Sequence, residues 1–203
     1  MAETVVHSRG ELHLQRRLFH MLSGLMFPVL AFALEEKVFF PLLLFSSALV
    51  ITGDVARLLF QPLNRAFVDV LAPLMRNEER RSIIGASYGL LGMLVTFGLF
   101  RQDMDIAIVA VLFLALGDPV AAIVGIKFPR VQVYRKSLSG SAAMMAVGFA
   151  VVALLHVTGV IDFRLAFLVG AIVATAIELA PLPINDNLTI PVGAGLAMWL
   201  MPV

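Results

Sequence analysis

The sequence predicts an all-α polytopic membrane protein, about seven transmembrane helices plus one interfacial amphipathic helix, forming a single integral membrane domain over residues 1–203. Three observations carry that expectation. The 203 residues are 60% hydrophobic and 14% charged, with a mean hydropathy of +0.95, and a soluble domain of this size could not hide so much apolar surface. Apolar runs approaching the roughly twenty residues that cross a bilayer alternate with short polar connectors. The basic residues are distributed very unevenly among those connectors.

Seven apolar segments can be marked: Leu18–Leu34, Val38–Gly53, Ile83–Phe100, Ile106–Gly125, Ala142–Val157, Leu165–Ala180 and Leu188–Val203. Several are short, so their ends are expected to reach into the connectors. In Ile83–Phe100, Gly85, Gly89 and Gly92 form a small face that suits close helix packing and could serve a homodimer. The connector from Gln61 to Ser82 differs from the others. Leu63, Phe67, Val70, Leu71 and Leu74 recur at helical spacing with Arg65, Asp69 and Arg76 between them, as expected of a helix lying along the membrane surface. Pro62 suits its first turn, and Pro73 is expected to bend or end it.

With seven crossings, twelve of the fifteen lysines and arginines fall on one side. These are Arg9, Arg16 and Arg17, then Arg57, Arg65, Arg76, Arg80 and Arg81, then Lys127, Arg130, Arg135 and Lys136. Lys37, Arg101 and Arg164 fall on the other. The positive-inside rule then places the N-terminus in the cytoplasm and the C-terminus outside. The first seventeen residues hold no apolar core followed by a small-residue cleavage site, so no removable signal peptide is expected. There is no cysteine, which excludes disulfides, thiolate metal sites and thiol nucleophiles together. No interleaved basic and aromatic surface points to nucleic acid.

On this topology the unusual polar residues gather at the cytoplasmic side. His13, Arg17 and His20 share a face of the first helix, and Asp54 and Arg57 stand three apart, close enough to pair. Asp118 and Glu178 follow long apolar stretches, where a carboxylate costs about 3 kcal/mol on insertion scales. Gly117-Asp118-Pro119 combines a capping acid with a proline suited to a first helical turn, so the fourth span is expected to break there around a wet pocket. Ser139-Gly140-Ser141 reads as a second helix start, with Lys136 just upstream. Backbone amides, serine hydroxyls and a lysine would there face one anion, although the Walker pattern is absent. Phosphate chemistry calls for a divalent cation, and Asp118, Glu178 and Asp186 are the carboxylates at hand for Mg²⁺, with Asn185 and Asn187 beside them.

The same residues resemble a known family, the CTP-dependent lipid-alcohol kinases, which include dolichol kinase, phytol kinase and the CTP-dependent diacylglycerol kinase. The matching stretches are Arg16-Arg17-Leu18-Phe19-His20, Asp54-Val55-Ala56-Arg57, Ser87-Tyr88-Gly89-Leu90-Leu91-Gly92, and Gly117-Asp118-Pro119-Val120-Ala121-Ala122-Ile123-Val124-Gly125. Arg135-Lys136-Ser137-Leu138-Ser139-Gly140-Ser141 follows, then Glu178, then Asp186-Asn187-Leu188-Thr189-Ile190-Pro191. They occur in family order from near residue 16 to residue 191. Two places depart from the pattern. Lys127-Phe128-Pro129-Arg130 stands where a glycine-bearing segment is usual, and Ser139 stands where an acid is common.

The resemblance implies transfer of the γ-phosphoryl group of CTP, with Mg²⁺, to the hydroxyl of a membrane lipid alcohol, of the polyprenol or phytol type or diacylglycerol. On that reading Lys136 holds phosphates, with Arg135, Ser137, Ser139, Gly140, Ser141 and Asn187. Asp118 and Asp186, joined by Glu178, hold the metal. One of those carboxylates, or Asp54, accepts the alcohol's proton. Arg17, His20 and Arg57 brace the carboxylates or touch the triphosphate. Two other classes stay open on the residues alone: a CTP-dependent cytidylyltransferase acting on a lipid phosphate, and a small transporter.

Overall fold

The computed structural model describes residues 14–128, 131–134 and 136–201. Its described residues form eight helices: α1 (Leu14–Ala33), α2 (Glu36–Leu59), α3 (Gln61–Leu71), α4 (Gly85–Leu99), α5 (Met104–Lys127), α6 (Leu138–Val157), α7 (Leu165–Leu179) and α8 (Asp186–Trp199). A ribbon of two short antiparallel strands, β1 (Gln132–Val133) and β2 (Lys136–Ser137), precedes α6 and pairs Gln132 with Ser137. That ribbon is too short to leave a strand-length pattern and was not expected.

The helix α5 is the hub. Nearly three quarters (72%) of its most apolar window is buried by other helices, against 22% for α2 and 33% for α6. Its run of Ile, Ala, Val, Leu and Phe from Ile106 to Ala115 is apolar on every side, as a helix enclosed by others must be. At 24 residues it is about 36 Å long, enough for the hydrocarbon core. Around it α6 packs on its C-terminal half, α7 on α6 and α8, and α4 on α8. The last contact is close because Gly92 lacks a side chain. A Cβ there would collide with the Asn187 carbonyl oxygen. Three helices, α2, α5 and α6, are long and apolar enough to span a membrane, and α4 and α7 are shorter apolar helices. Leu18, Leu22 and Val29 on α1, with Phe45 and Leu49 on α2, leave large apolar side chains exposed. This is the surface of an integral multi-pass membrane protein.

The fourth span does not break at Gly117, contrary to expectation. The chain stays helical through Asp118 and Pro119, and Gly117 itself has φ −68 and ψ −51. The strain is absorbed one turn earlier, where Phe113–Gly117 forms a π turn. Pro119 has no N–H to give the Ala115 carbonyl, and its ring would crowd that oxygen. Widening the preceding turn relieves the clash while keeping the helix whole.

The long connector follows its sequence more closely. Pro62 sits in the first turn of α3, the helix ends two residues before Pro73, and 3₁₀ turns at Ala72–Leu74 and Asn77–Arg80 carry the chain to α4.

Charged clusters mark both ends of the bundle. At one end Arg164, ahead of α7, donates to Asp103 at 2.9 Å and Asp105 at 3.2 Å, and lies over the Phe167 ring. The hydrogen bond from Arg164 holds the Asp103 carboxyl below the ordinary aspartate value, and the same bond raises the arginine. The other end carries the residues the sequence singled out.

Candidate active site

Three helix ends bring a lysine and two acids together. The Lys136 side chain leaves β2 and reaches Asp186 Oδ2 at 2.7 Å and Glu178 Oε1 at 2.9 Å. Asp186 opens α8, where Asn185 caps the helix by accepting from the Asn187 N–H at 3.0 Å. Glu178 sits in the last turn of α7, almost fully buried, and accepts from Ser141 Oγ at 3.0 Å. Lys136 and Asp186 each remain about one third exposed (30% and 33%), so the cluster opens to solvent on their side. Burial alone disfavours the Lys136 ammonium, but Asp186 and then Glu178 more than offset it, so its pKa lies above the ordinary lysine value.

The start of α6 is built as a tight cap. Ser137 Oγ accepts from the Gly140 N–H at 3.1 Å and meets Ser139 Oγ at 3.1 Å. Ser139 Oγ also donates to the Phe128 carbonyl, which ties the cap to the end of α5. A Cβ on Gly140 would come within 2.7 Å of the Ala121 carbonyl oxygen, so glycine is what lets α6 lie against α5 here. The expected row of open amides is therefore only partly present: the Gly140 amide is occupied by its own cap, and Ser141 is turned to Glu178.

Asp118, half-buried in α5, lies within electrostatic reach of Lys136 and of Arg16, Arg17 and His20 on α1. Arg17 Nε and His20 Nε2 are buried and have no hydrogen-bond partner among the described residues. The structure thus brings Asp118, Lys136, Glu178, Asp186, Ser137, Ser141, Arg17 and His20 to one end of the bundle. His13, Arg130 and Arg135 lie outside the described residues.

Two expectations do not fit this geometry. Asp54 has no oxygen left to accept a substrate proton. Its Oδ1 accepts from Arg57 Nε at 2.7 Å, and its Oδ2 from Ser87 Oγ at 2.7 Å and the Ile84 N–H at 2.9 Å. Arg57 is 0% exposed and its guanidinium is spent on Asp54, Asn64 Oδ1 and the carbonyls of Glu79 and Ser82, with Phe67 beneath it. The pair fastens α2 to α3 and to the connector instead of meeting a ligand. The shared metal centre is not assembled either. Among the described residues no three of His, Asp or Glu are arranged to hold a metal ion, because the Lys136 ammonium occupies the place between Asp186 and Glu178. Asn187 turns inward as well, donating from Nδ2 to the Gly85 carbonyl at 2.8 Å.

Glu79 was missed. It is buried, accepts from Gly85 N–H at 3.0 Å and Arg76 N–H at 2.7 Å, and pairs with Arg16 at 3.3 Å, so it pins α1 and the connector to the start of α4. One glutamate in a charged connector carries no periodic signal that could have marked it.

Known proteins with this pattern transfer phosphate to lipids. The chain is 29% identical to phytol kinase 1, chloroplastic, of Arabidopsis thaliana over 92% of its own length, and spans 66% of that protein. It is 32% identical to CTP-dependent diacylglycerol kinase 1 of Schizosaccharomyces pombe over 48% of its length and 45% of that protein's. The chain is a distant homologue of the phytol kinases and the CTP-dependent diacylglycerol kinases. An uncharacterised protein of Rickettsia prowazekii matches it nearly end to end, at 26% identity over 93% and 94% of the two chains. No family model and no solved structure matches it. The homology to these kinases covers every element of the Lys136 cluster, since the phytol kinase match takes in most of the chain.

Proposed function

We propose that the protein is a membrane lipid kinase that moves the γ-phosphoryl group of CTP to the hydroxyl of a lipid alcohol, an isoprenoid alcohol or diacylglycerol. The observation that carries the reading is Lys136, a protonated lysine held between two carboxylates at the cap of α6, in a chain homologous to lipid kinases. Phosphoryl transfer needs charge neutralisation and in-line positioning more than covalent help from the protein. Lys136 supplies a cation that can turn from its carboxylates to a phosphate oxygen through its exposed side. The Arg17 and His20 nitrogens that lack partners add donors beside Asp118. The O–H bond of the alcohol breaks as its oxygen bonds to the γ-phosphorus. The proton passes to Asp118 or Asp186, and CDP leaves.

In such kinases a divalent cation shares the charge on the phosphates. The three carboxylates expected to bind it are not gathered here, so no step is assigned to it. The bias of basic residues supports an active site on the cytoplasmic face with seven spans and α3 at the interface. The exposed apolar flanks of the helices leave room for the lipid to arrive sideways from the bilayer.

The test is incubation of the purified protein with CTP, Mg²⁺ and a panel of lipid alcohols, followed by mass spectrometry. A phosphorylated lipid together with CDP is the expected result. Release of pyrophosphate with a CDP-lipid would assign a cytidylyltransferase, and no modified lipid with any alcohol would end the proposal.

A further inference from the structure

Away from the Lys136 cluster, three arginines meet over one small hollow. Arg65 of α3 and Arg80 and Arg81 of the connector line it with Asn64, Val68 and Asp69, around a volume of about 290 Å³. Three cations stand there against one anion. Such crowding of like charge is unfavourable unless an anion is bound.

The walls are fixed in advance. Asn64 Nδ2 donates to the Arg80 carbonyl at 3.0 Å, while its Oδ1 accepts from Arg57 at 2.7 Å. Arg57 also holds the carbonyls of Glu79 and Ser82, so the backbone on both sides of Arg80-Arg81 is tied to α2 and α3. A hollow whose backbone is already held loses little entropy when it binds.

The helix beneath it has three distinct faces. Phe67 and Val68 pack inward, against Arg57 and the core. Leu63 and Val70 are uncovered, the latter 76% exposed, next to exposed Leu59 and Phe60. Arg65 and Asp69 occupy the remaining side. An amphipathic helix with an uncovered apolar side, in a multi-pass membrane protein, settles at the boundary between acyl chains and headgroups. That depth brings the arginine hollow level with lipid phosphates.

We propose that this hollow binds the phosphodiester headgroup of an anionic phospholipid of the surrounding bilayer. Arg65 and Arg81, both exposed, grip the phosphate with their guanidinium forks, which match phosphate geometry better than ammonium groups do. Asp69 accepts from a headgroup hydroxyl. The site is separate from the Lys136 cluster and stands whether or not the protein is a kinase.

The experiment uses the full chain in detergent, with phosphatidylglycerol and phosphatidylcholine offered together and retained lipid read by native mass spectrometry. Arg65→Gln combined with Arg81→Gln removes two charges worth about 1 kcal/mol each at a membrane surface. Phosphatidylglycerol retention is expected to fall about thirtyfold, with phosphatidylcholine retention and melting temperature unchanged, because neither arginine belongs to the Arg57 network. Equal phosphatidylglycerol retention by the double variant and the parent overturns the proposal. So does full displacement of the lipid by millimolar inorganic phosphate, which would mark a soluble-anion site. Retention that appears only after Glu3→Gln and Glu11→Gln would assign the hollow to the chain's own acids, and overturns it as well.

Discussion

The Lys136 ammonium stands 2.7 Å from Asp186 Oδ2, across fifty residues of chain, and on its other side 2.9 Å from the buried Glu178. One cation therefore neutralises two acids that would otherwise repel each other at the start of α8 and the end of α7. This ties catalytic promise and stability to the same side chain, and the two can be separated by mutation.

Lys136→Met is expected to lower transfer from CTP at least a hundredfold, the scale seen when a preorganised charge aimed at the reacting group is removed. It also leaves Glu178 buried without its cation, at a cost of up to about 3 kcal/mol given the partial exposure of the pair. Adding Glu178→Gln removes that second penalty alone. The double variant should regain melting temperature in detergent and remain inactive. If it regains activity too, Lys136 has no role beyond balancing Glu178.

Asp54→Ala and Arg57→Ala are expected to act on folding. Each leaves a fully buried charge without its partner, which costs about 3–5 kcal/mol and should loosen α3 and the connector together. Melting temperature and limited proteolysis between residues 61 and 84 read the effect. Activity per folded molecule should stay within a few fold of the parent. A normal melting temperature with abolished transfer would return Asp54 to the reaction.

The pH dependence of stability has two limbs, read from the two shifted groups outside the spans. Asp103 is lowered by Arg164, so its contribution is complete above the ordinary aspartate pKa of about 3.9 and fades as pH falls through the lower folded value. Lys136 is raised, so its contribution is complete below the ordinary lysine value and fades as pH rises through the higher folded one. Melting temperature should therefore fall on the acid side in the parent and fall less in Asp103→Asn, with Arg164 charged throughout. The alkaline fall should be weaker in Lys136→Met. Across pH 6–9 neither group titrates, and neither variant should change the slope there.

The sequence was informative where chemistry is expensive. Asp118 and Glu178 stood out because a carboxylate in an apolar run is costly, and both lie at the cluster. The Pro62 and Pro73 boundaries of α3 followed from backbone sterics. What could not be read is partnership across the fold. Asp54 and Arg57 were noticed as a pair, but only the contacts from Asn64, Ser82 and Ser87 reveal that no valence is left over for a ligand. Glu79 has the same kind of buried role with no local pattern at all. In α5 the period was right and the local geometry wrong. A glycine, a capping acid and a proline in a row resemble a helix start, and nothing in the row says that the preceding turn can widen instead.

That widened turn supports a last prediction. The π turn at Phe113–Gly117 inserts one residue into the α5 ladder, and everything after it, Asp118 included, is rotated by about 100° relative to an unbroken α-helix. Proline at 119 stabilises the wide turn because it cannot complete the ordinary bond to Ala115. Pro119→Ala supplies the missing N–H and removes the steric objection, so the turn is free to tighten. The variant is expected to be as stable as the parent or more so, since it gains a helix bond. Its rate of transfer should fall about a hundredfold, the penalty for moving a reacting group by roughly 1 Å. A stable Pro119→Ala with undiminished transfer would show that the orientation of Asp118 does not depend on the π turn.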